Sequence, residues 1–149
     1  MQAVRIIEIP PCKMVSSGRG FFGEENFTKF NAWFSSLPRS MHSKDFLYWD
    51  GQGFCWLYLY EEGINPPEQF EIVDFSGGLY CVATDIDGKT DVEKMNSQVD
   101  VFLSENGFER DTSRFELGNI ITPPEVQKIL GYCQMDYYTP IKPKGTMQG

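Results

Sequence analysis

The sequence predicts an α+β fold made of two βαββ repeats, and three observations support this fold class. The segment Val4–Ser17 aligns without gaps on Phe70–Ala83, at an offset of 66 residues in a chain of 149. Each copy is followed by apolar residues at helical spacing and then by two further strand-like segments. Because strands outnumber helices and the last two strands of each repeat are close in sequence, we expect an antiparallel sheet with two helices on one face. A ligand cleft is expected between the halves, where sites often form.

Each repeat begins with a strand that a turn interrupts. Both copies read apolar, charged, apolar, apolar, acidic, apolar, and a second apolar stretch follows a break. The break falls at Pro10–Pro11 in the first copy and at Ser76–Gly78 in the second. Proline pairs and glycine pairs interrupt a strand ladder, so we predict a turn or bulge at both places.

The first helix is predicted from four apolar residues, Phe27, Phe30, Phe34 and Leu37, which recur at helical spacing. Pro38 is expected to end it, because proline cannot continue the backbone hydrogen bonds of a helix.

The second helix is predicted to begin at a capping box, Thr90-x-x-Glu93, and to end at Asn106–Gly107. Its expected buried stripe consists of apolar residues at helical spacing: Val92, Met95, Val99, Phe102 and Leu103.

Two strands follow each helix. In the first repeat they are Phe46–Trp49 and Phe54–Tyr60, and Asp50–Gly53 between them is a strong hairpin signal. In the second repeat they are Arg114–Leu117 and Tyr132–Tyr138.

The longer connection in the second repeat contains Thr122–Glu125, which has the pattern of a capping box with proline at the first helical position. A short helical turn is therefore predicted over residues 125–130.

The chain is expected to be a single domain, 1–149, with repeat one at about 2–62 and repeat two at about 68–143. It carries 21 acidic and 13 basic residues, a net charge of −8, which repels nucleic-acid backbones. The repeats leave no room for a helix-turn-helix, and no apolar run is long enough to cross a membrane. The start of the chain lacks signal-peptide features, so a cytoplasmic location is expected.

Cysteine and histidine usage argues against metal and cofactor chemistry. The cysteines Cys12, Cys55, Cys81 and Cys133 are widely spaced and form no C-x-x-C motif, so free thiols are expected. His42 is the single histidine. A catalytic triad would have to use this one loop residue, and neither a metal nor a cofactor is predicted.

Aromatic residues alternate along the strand 54–60. Phe54, Trp56, Tyr58 and Tyr60 fall on one side, and Cys55, Leu57 and Leu59 fall on the other. This pattern suggests an aliphatic core side and an aromatic ligand side. Ordinary packing of the aromatic rings is the alternative interpretation.

Two carboxylates lie among aromatic residues. Glu116 is predicted inside a strand between Phe115 and Leu117, and Asp136 lies next to Tyr137. A carboxylate in a desolvated aromatic cleft is a receptor for a lipophilic cation, through charge neutralisation and cation–π attraction. For either residue a solvated strand face is the alternative.

The order of Gly78–Val82, Phe115–Glu116 and Asp136–Lys142 along the duplicated βαββ resembles the GyrI-like small-molecule-binding domain. This module is the effector-binding domain of AraC- and MerR-type multidrug-responsive regulators, and it also occurs alone. The resemblance covers about residues 2–143. It implies a curved antiparallel sheet, a cleft between the halves and cationic aromatic ligands.

By this resemblance Glu116 supplies the buried negative charge, Asp136 is a second carboxylate, and Tyr138 and Tyr80 are aromatic walls. The family usually has another aromatic residue where this chain has Gly118. Trp49 and Trp56 are the candidates to replace this missing aromatic wall. Arg19, before the first helix, is expected either to pair with a carboxylate or to obstruct a cation. The candidate ligand-binding residues are Glu116, Asp136, Tyr138, Tyr80, Trp49, Trp56, Tyr58, Tyr60 and Phe21.

Three functions are compatible with these residues. The first is a standalone protein that binds lipophilic cationic compounds, for drug binding, sequestration or regulation, without direct contact to nucleic acid or membrane. The second is a small-molecule hydrolase in which Glu116 is the acid or base and Tyr138 or Tyr80 donates a hydrogen bond. The third is an inhibitor or interaction module that covers its aromatic face with a protein partner or with a second copy of the chain. Binding needs only charge and aromatic surface, so it is preferred over catalysis.

Overall fold

The structure is a computed structural model that describes residues 4–38, 43–86 and 90–145. His42 lies outside these residues. The described residues form nine strands and three helices, in the order β1 (Val4–Ile9), β2 (Cys12–Gly20), α1 (Glu25–Ser35), β3 (Asp45–Trp49), β4 (Phe54–Leu59), β5 (Glu71–Phe75), β6 (Gly78–Ile86), α2 (Val92–Glu105), β7 (Phe108–Arg110), β8 (Leu117–Ile120), α3 (Pro124–Leu130) and β9 (Gln134–Pro143).

The chain divides into two compact units. Unit 1 consists of Met1–Ile9 and Gly78–Gly149, and unit 2 consists of Pro10–Gly77. The strand that opens the first repeat therefore belongs with the second half of the chain, where β1 pairs with β6. The strand that opens the second repeat, β5, pairs with β2 in unit 2. Both predicted interruptions, at Pro10–Pro11 and before Gly78, separate strands of different units. All strand pairs of both units are antiparallel, as predicted.

In unit 2 the strand order is β3-β4-β2-β5, and α1 packs on one face. The predicted hairpin of β3 and β4 is confirmed. Its turn is held by Asp50, whose carboxylate accepts the backbone N–H groups of Gln52 and Gly53, while Gly51 has φ +99°. The predicted first helix is also confirmed, although it ends at Ser35, before Leu37.

The two faces of β4 are the reverse of the prediction. Trp56 packs against the α1 residues Phe27 and Phe30, and Tyr58 borders the same cluster. Cys55 and Leu57, expected on the helix side, lie in a separate cluster on the helix-free side. The helix-facing positions of α1 are themselves aromatic, and ring-to-ring packing selects the aromatic face of the strand as the core.

In unit 1 the strand order is β1-β6-β9-β8, and β7 also pairs with β9, near its end. The helix α2 buries Met95, Val99 and Leu103 against Cys81 and Ala83. The predicted end of this helix at Asn106 is confirmed. Val92, expected in the buried stripe, is 45% exposed.

Both predicted capping boxes in unit 1 are wrong. Asp91 caps α2, because its carboxylate accepts the N–H of Lys94, and the Thr90 hydroxyl instead accepts the N–H of Ile86. A carboxylate at the positive end of a helix is favoured over a hydroxyl. Before α3, the Thr122 hydroxyl accepts the N–H of Gln134 and does not cap the helix. The predicted helical turn at 125–130 is confirmed as α3.

The strand placement of Glu116 is also wrong. Asp111 closes a turn by accepting the N–H and the hydroxyl of Ser113, and Arg114 follows in the bend. The ladder with β9 begins only at Leu117, which lies opposite Tyr138. Glu116 therefore precedes the strand and sits on the surface.

Candidate functional site

The face of the unit 1 sheet opposite α2, here called the helix-free face, carries a group of polar residues that lie on neighbouring strands. Residues opposite each other in an antiparallel pair share a face, and the register pairs Asp136 with both Thr84 and Asn119. By the same register, and by alternation along each strand, this face includes Arg5, Ile7, Tyr80, Val82, Thr84, Leu117, Asn119, Asp136 and Tyr138.

Asp136 is the buried charge of this face. The residue is 8% exposed, and it lies on β9, which is flanked by β6 and β8. Its Oδ1 accepts a hydrogen bond from the Thr84 hydroxyl at 3.0 Å, and its Oδ2 accepts one from Nη2 of Arg5 at 2.9 Å. A buried carboxylate is stable only when it is paired and hydrogen-bonded, and these two bonds meet that need.

Two tyrosines lie on the same face as this carboxylate, and Tyr138 is the nearer, two positions along β9. Tyr138 is 9% exposed, and its ring packs edge-on against that of Tyr80, with 5.9 Å between centroids. Burial raises the pKa of the Tyr138 phenol, and the negative charge of Asp136 raises it further, while Arg5 opposes the shift. Tyr138 therefore stays protonated at neutral pH, able to donate a hydrogen bond.

An arginine already occupies a ring face of Tyr80. The guanidinium carbon of Arg114 lies 4.8 Å from the ring centroid. Its Nη2 donates to the backbone carbonyls of Leu79 at 3.0 Å and Ile141 at 2.9 Å, and its Nε donates to Asp111 at 2.9 Å. These hydrogen bonds connect the loop before β8 to β6 and β9. Arg114 is also a cation–π partner of Tyr80 within the protein.

Removing the Asp111 carboxylate is expected to loosen this loop. Hydrogen bonds from the Ser113 hydroxyl and the Arg114 guanidinium lower the pKa of Asp111 to about 2. Asp111→Asn should therefore cost about 1–2 kcal/mol of unfolding free energy at pH 7. Because the folded pKa lies below the value of about 3.9 in an unfolded chain, this contribution is present above pH 4 and is lost as the pH falls towards 2.

Denaturant titrations at pH 7 and pH 3 check this prediction, with Asp74→Asn as the control. Asp74 pairs with Lys13 in the same way, but its side chain is 88% exposed, so no resolvable change is expected. An Asp111→Asn variant as stable as the wild type at pH 7 would contradict the assigned role.

Glu116 does not join the Asp136 cluster. Its carboxylate accepts hydrogen bonds from Nη1 of Arg110 at 3.3 Å and from the hydroxyl of Tyr137 at 3.4 Å. Tyr137 points to the α2 side of the sheet, where it borders the core cluster. The Glu116 side chain is 43% exposed, so the two predicted carboxylates differ in surroundings as well as in position.

In unit 2, the predicted site residues on β4 belong to the core beneath α1. Trp56 is 7% exposed, its ring lies 5.1 Å from Phe34, and its Nε1 donates to Asp45 at 3.0 Å. Tyr58 stacks on Phe34 at 5.4 Å, and Tyr60 borders the same cluster.

The two remaining unit 2 candidates are on the surface. Phe21 is 44% exposed and Trp49 is 49% exposed, with ring centroids 6.1 Å apart. Phe22, which is 53% exposed, continues this aromatic patch. Arg19, whose role the sequence left open, pairs with Asp50 at 2.7 Å.

Three polar residues of this face, Arg5, Thr84 and Asn119, were not predicted from the sequence. All three come together only through the registers of β1, β6, β8 and β9, which no local pattern reveals. A basic residue inside the predicted first strand was the available signal for Arg5, because a mid-strand charge needs a partner.

The four cysteines carry no disulfide, in agreement with the prediction of free thiols. Among residues 4–38, 43–86 and 90–145, no group of three or more His, Cys, Asp or Glu side chains could hold a metal ion. No helix in the described part of the chain is long and apolar enough to span a membrane.

The fold is similar to solved structures that share little sequence with this chain. The C-terminal domain of EcmrR superposes with a TM-score of 0.63 at 9% identity, over 96% of this chain and 99% of that domain. A hydrolase from Listeria innocua gives a TM-score of 0.65 at 10% identity, over 93% of this chain and 91% of that one. EcmrR in complex with DNA gives 0.62 at 9% identity, and there this chain spans 58% of the longer protein. No protein-family model and no curated protein sequence matches the chain.

Proposed function

We propose that this chain is a GyrI-like small-molecule-binding protein that binds a lipophilic cation on the helix-free face of unit 1, with Asp136 as the counter-ion. The observation that carries the proposal is the Asp136 carboxylate, which is buried on the same face as Tyr138 and is paired with a largely exposed arginine, Arg5. A fixed negative charge against aromatic surface attracts cations that also bury hydrocarbon. The fold shared with the C-terminal domain of EcmrR is compatible with this function.

We assign the counter-ion to Asp136 rather than to Glu116. The Asp136 side chain is 11% exposed, whereas that of Glu116 is 43% exposed. Water and ions screen an exposed carboxylate, so it contributes less to the affinity for a cation than a buried one does.

Tyr138 is the aromatic wall in this proposal. The Arg114 guanidinium already lies 4.8 Å from the centroid of the neighbouring Tyr80 ring. We therefore assign Tyr80 a supporting role, through the edge contact of its ring with Tyr138. Phe21 and Trp49 belong to unit 2, where they expose ring surface, and they remain a separate candidate surface for an aromatic ligand. Trp56 and Tyr58 are given a packing role because they lie beneath α1.

A thermal-shift titration with lipophilic aromatic cations tests this function. A ligand at about one hundred times its Kd should stabilise the wild type by about 2.7 kcal/mol, which is several degrees in Tm for a chain of this size. Asp136→Asn should weaken cation binding by at least tenfold, and neutral analogues of the same shape should give little shift.

Glu116→Gln is the matched control, since it also removes one carboxylate charge from unit 1. It should change the affinity by less than about threefold if Asp136 is the counter-ion. Equal affinities in the wild type and Asp136→Asn would overturn the assignment. Equal losses of cation affinity in Asp136→Asn and Glu116→Gln would show that both carboxylates act as counter-ions.

Hydrolysis is the second candidate, and the hydrolase from Listeria innocua with the same fold is the observation that favours it. A shared fold does not transfer an activity, so the residues must carry it. The acid–base pairing available to Glu116 is with the Tyr137 hydroxyl at 3.4 Å, not with Tyr138. Mass spectrometry of the bound compound after incubation separates the two functions: intact ligand supports binding, and a product that disappears in Glu116→Gln supports hydrolysis.

A further inference from the structure

We propose that Arg5 is a tethered substitute for the cationic group of the ligand, and that the site prefers cations with N–H donors, such as aromatic amidines, over quaternary ammonium ions. This inference rests on the proposed function and adds two things to it: the chemical class of the cation and a residue that competes with it.

The ion pair of Arg5 and Asp136 is asymmetric. The Asp136 side chain is 11% exposed and fixed on β9, whereas the Arg5 side chain is 57% exposed. Arg5 lies on β1, at the end of the strand order of unit 1, and its partner in the register is Val82 on β6. Its guanidinium therefore reaches across β6 to meet the carboxylate. The arginine is free to turn into water, and the carboxylate is not.

This asymmetry selects ligands by charge. Arg5 loses little on moving into solvent, because more than half of its side chain is already there. Asp136 without a cation would be a buried, uncompensated charge, which is strongly unfavourable. A neutral molecule therefore leaves the pair intact, while a cation can take the place of the guanidinium and preserve the charge balance.

The hydrogen bonds of Asp136 define the class of cation. Thr84 already donates to Oδ1 at 3.0 Å, and Nη2 of Arg5 donates to Oδ2 at 2.9 Å. A replacement must donate a hydrogen bond to Oδ2, because a buried acceptor that loses its donor pays the full cost of desolvation. An amidinium group has the planar N–H geometry of the guanidinium it replaces. A quaternary ammonium ion has no N–H, and its methyl groups keep the charge farther from the carboxylate.

Calorimetric titration of the full chain with three matched probes tests the inference: biphenyl-4-carboxamidine, biphenyl-4-yltrimethylammonium and the neutral biphenyl-4-carboxamide. The wild type should bind the amidine at least tenfold more tightly than the quaternary ion. The carboxamide should bind more weakly than either. Arg5→Met, which removes the competing guanidinium, should raise the affinity for the amidine at least tenfold.

Lys13→Met is the matched control variant. Lys13 also forms a salt bridge, at 2.8 Å, and its side chain is 59% exposed, close to the value for Arg5. Its partner Asp74 is 88% exposed on unit 2, so the substitution makes the same change in net charge without touching a buried carboxylate. It should leave the amidine affinity within twofold of the wild type.

The outcomes separate this inference from the proposed function. If Asp136→Asn abolishes binding while Arg5→Met leaves it unchanged, Arg5 is not a competitor and only this inference fails. If Asp136→Asn binds the amidine as well as the wild type does, both fail. If Arg5→Met does not fold, the same question can be answered on the wild type by following the NMR signal of the Arg5 side-chain Nε–H during the titration. That signal should move to a solvent-exposed arginine position on amidine binding, and an unmoved signal would overturn the displacement.

Discussion

Replacing Trp56 with alanine is expected to lower the free energy of unfolding by about 3–5 kcal/mol, the usual cost of emptying a buried aromatic site. The Trp56 ring lies within 6 Å of the rings of Phe22, Phe27, Phe30 and Phe34, centroid to centroid. Its removal leaves a cavity beneath α1. It also leaves Asp45, which is 9% exposed, without the N–H that Trp56 donates.

Two further substitutions make this result diagnostic. Trp56→Phe keeps most of the ring packing and removes the Nε1 donor, so it should cost about 1–3 kcal/mol. Trp49→Ala deletes the same side chain from a site that is 49% exposed, and it should cost about 1 kcal/mol or less. Denaturant titrations give all three values. If Trp56→Ala cost no more than Trp49→Ala, the Trp56 ring would not be part of the core.

Placing a methyl group on Gly78 is expected to cost about 2–4 kcal/mol, for two reasons that add. Gly78 has φ +123°, where a residue with a side chain is strained. A Cβ atom there would also collide with the guanidinium group of Arg114, whose central carbon would lie only 2.8 Å away. Arg114 yields only by giving up its hydrogen bonds to Leu79, Ile141 and Asp111.

Gly51→Ala is the control for the backbone contribution. Gly51 also has a positive φ, +99°, but nothing lies within 4 Å of its Cβ position, so about 1–2 kcal/mol is expected. In a double-mutant cycle with Arg114→Met, the cost of Gly78→Ala should fall by at least about 1 kcal/mol. Additive effects in that cycle would show that Arg114 does not pack on Gly78.

Local signals in the sequence were sufficient for the helices and the hairpin. The spacing of Phe27, Phe30 and Phe34 predicted α1 because helix packing depends on residues three and four apart. Asp50–Gly53 predicted the β3–β4 turn because its side-chain and glycine geometry act within four residues. The alignment of residues 4–17 on 70–83 likewise predicted the two interrupted strands.

Local sequence patterns could not predict which face of a strand is buried or which charged residues form ion pairs. Alternation separated Trp56 from Leu57 on β4, but only the aromatic surface of α1 decides which side is the core. Glu116 was placed inside a strand that begins only at Leu117, because the loop before this strand is held by hydrogen bonds from Arg114 to Leu79 and Ile141, which are distant in sequence. Arg5 and Asp136 are 131 positions apart in the sequence, so no local pattern predicts the ion pair on which the candidate site is based.

An NMR titration of the backbone amides with biphenyl-4-carboxamidine tests whether the ligand lies on the helix-free face of unit 1. The largest changes are expected on this face, at Arg5, Thr84, Asn119, Asp136 and Tyr138. Changes centred on the aromatic patch of Phe21, Phe22 and Trp49, with the strands of unit 1 unmoved, would contradict it.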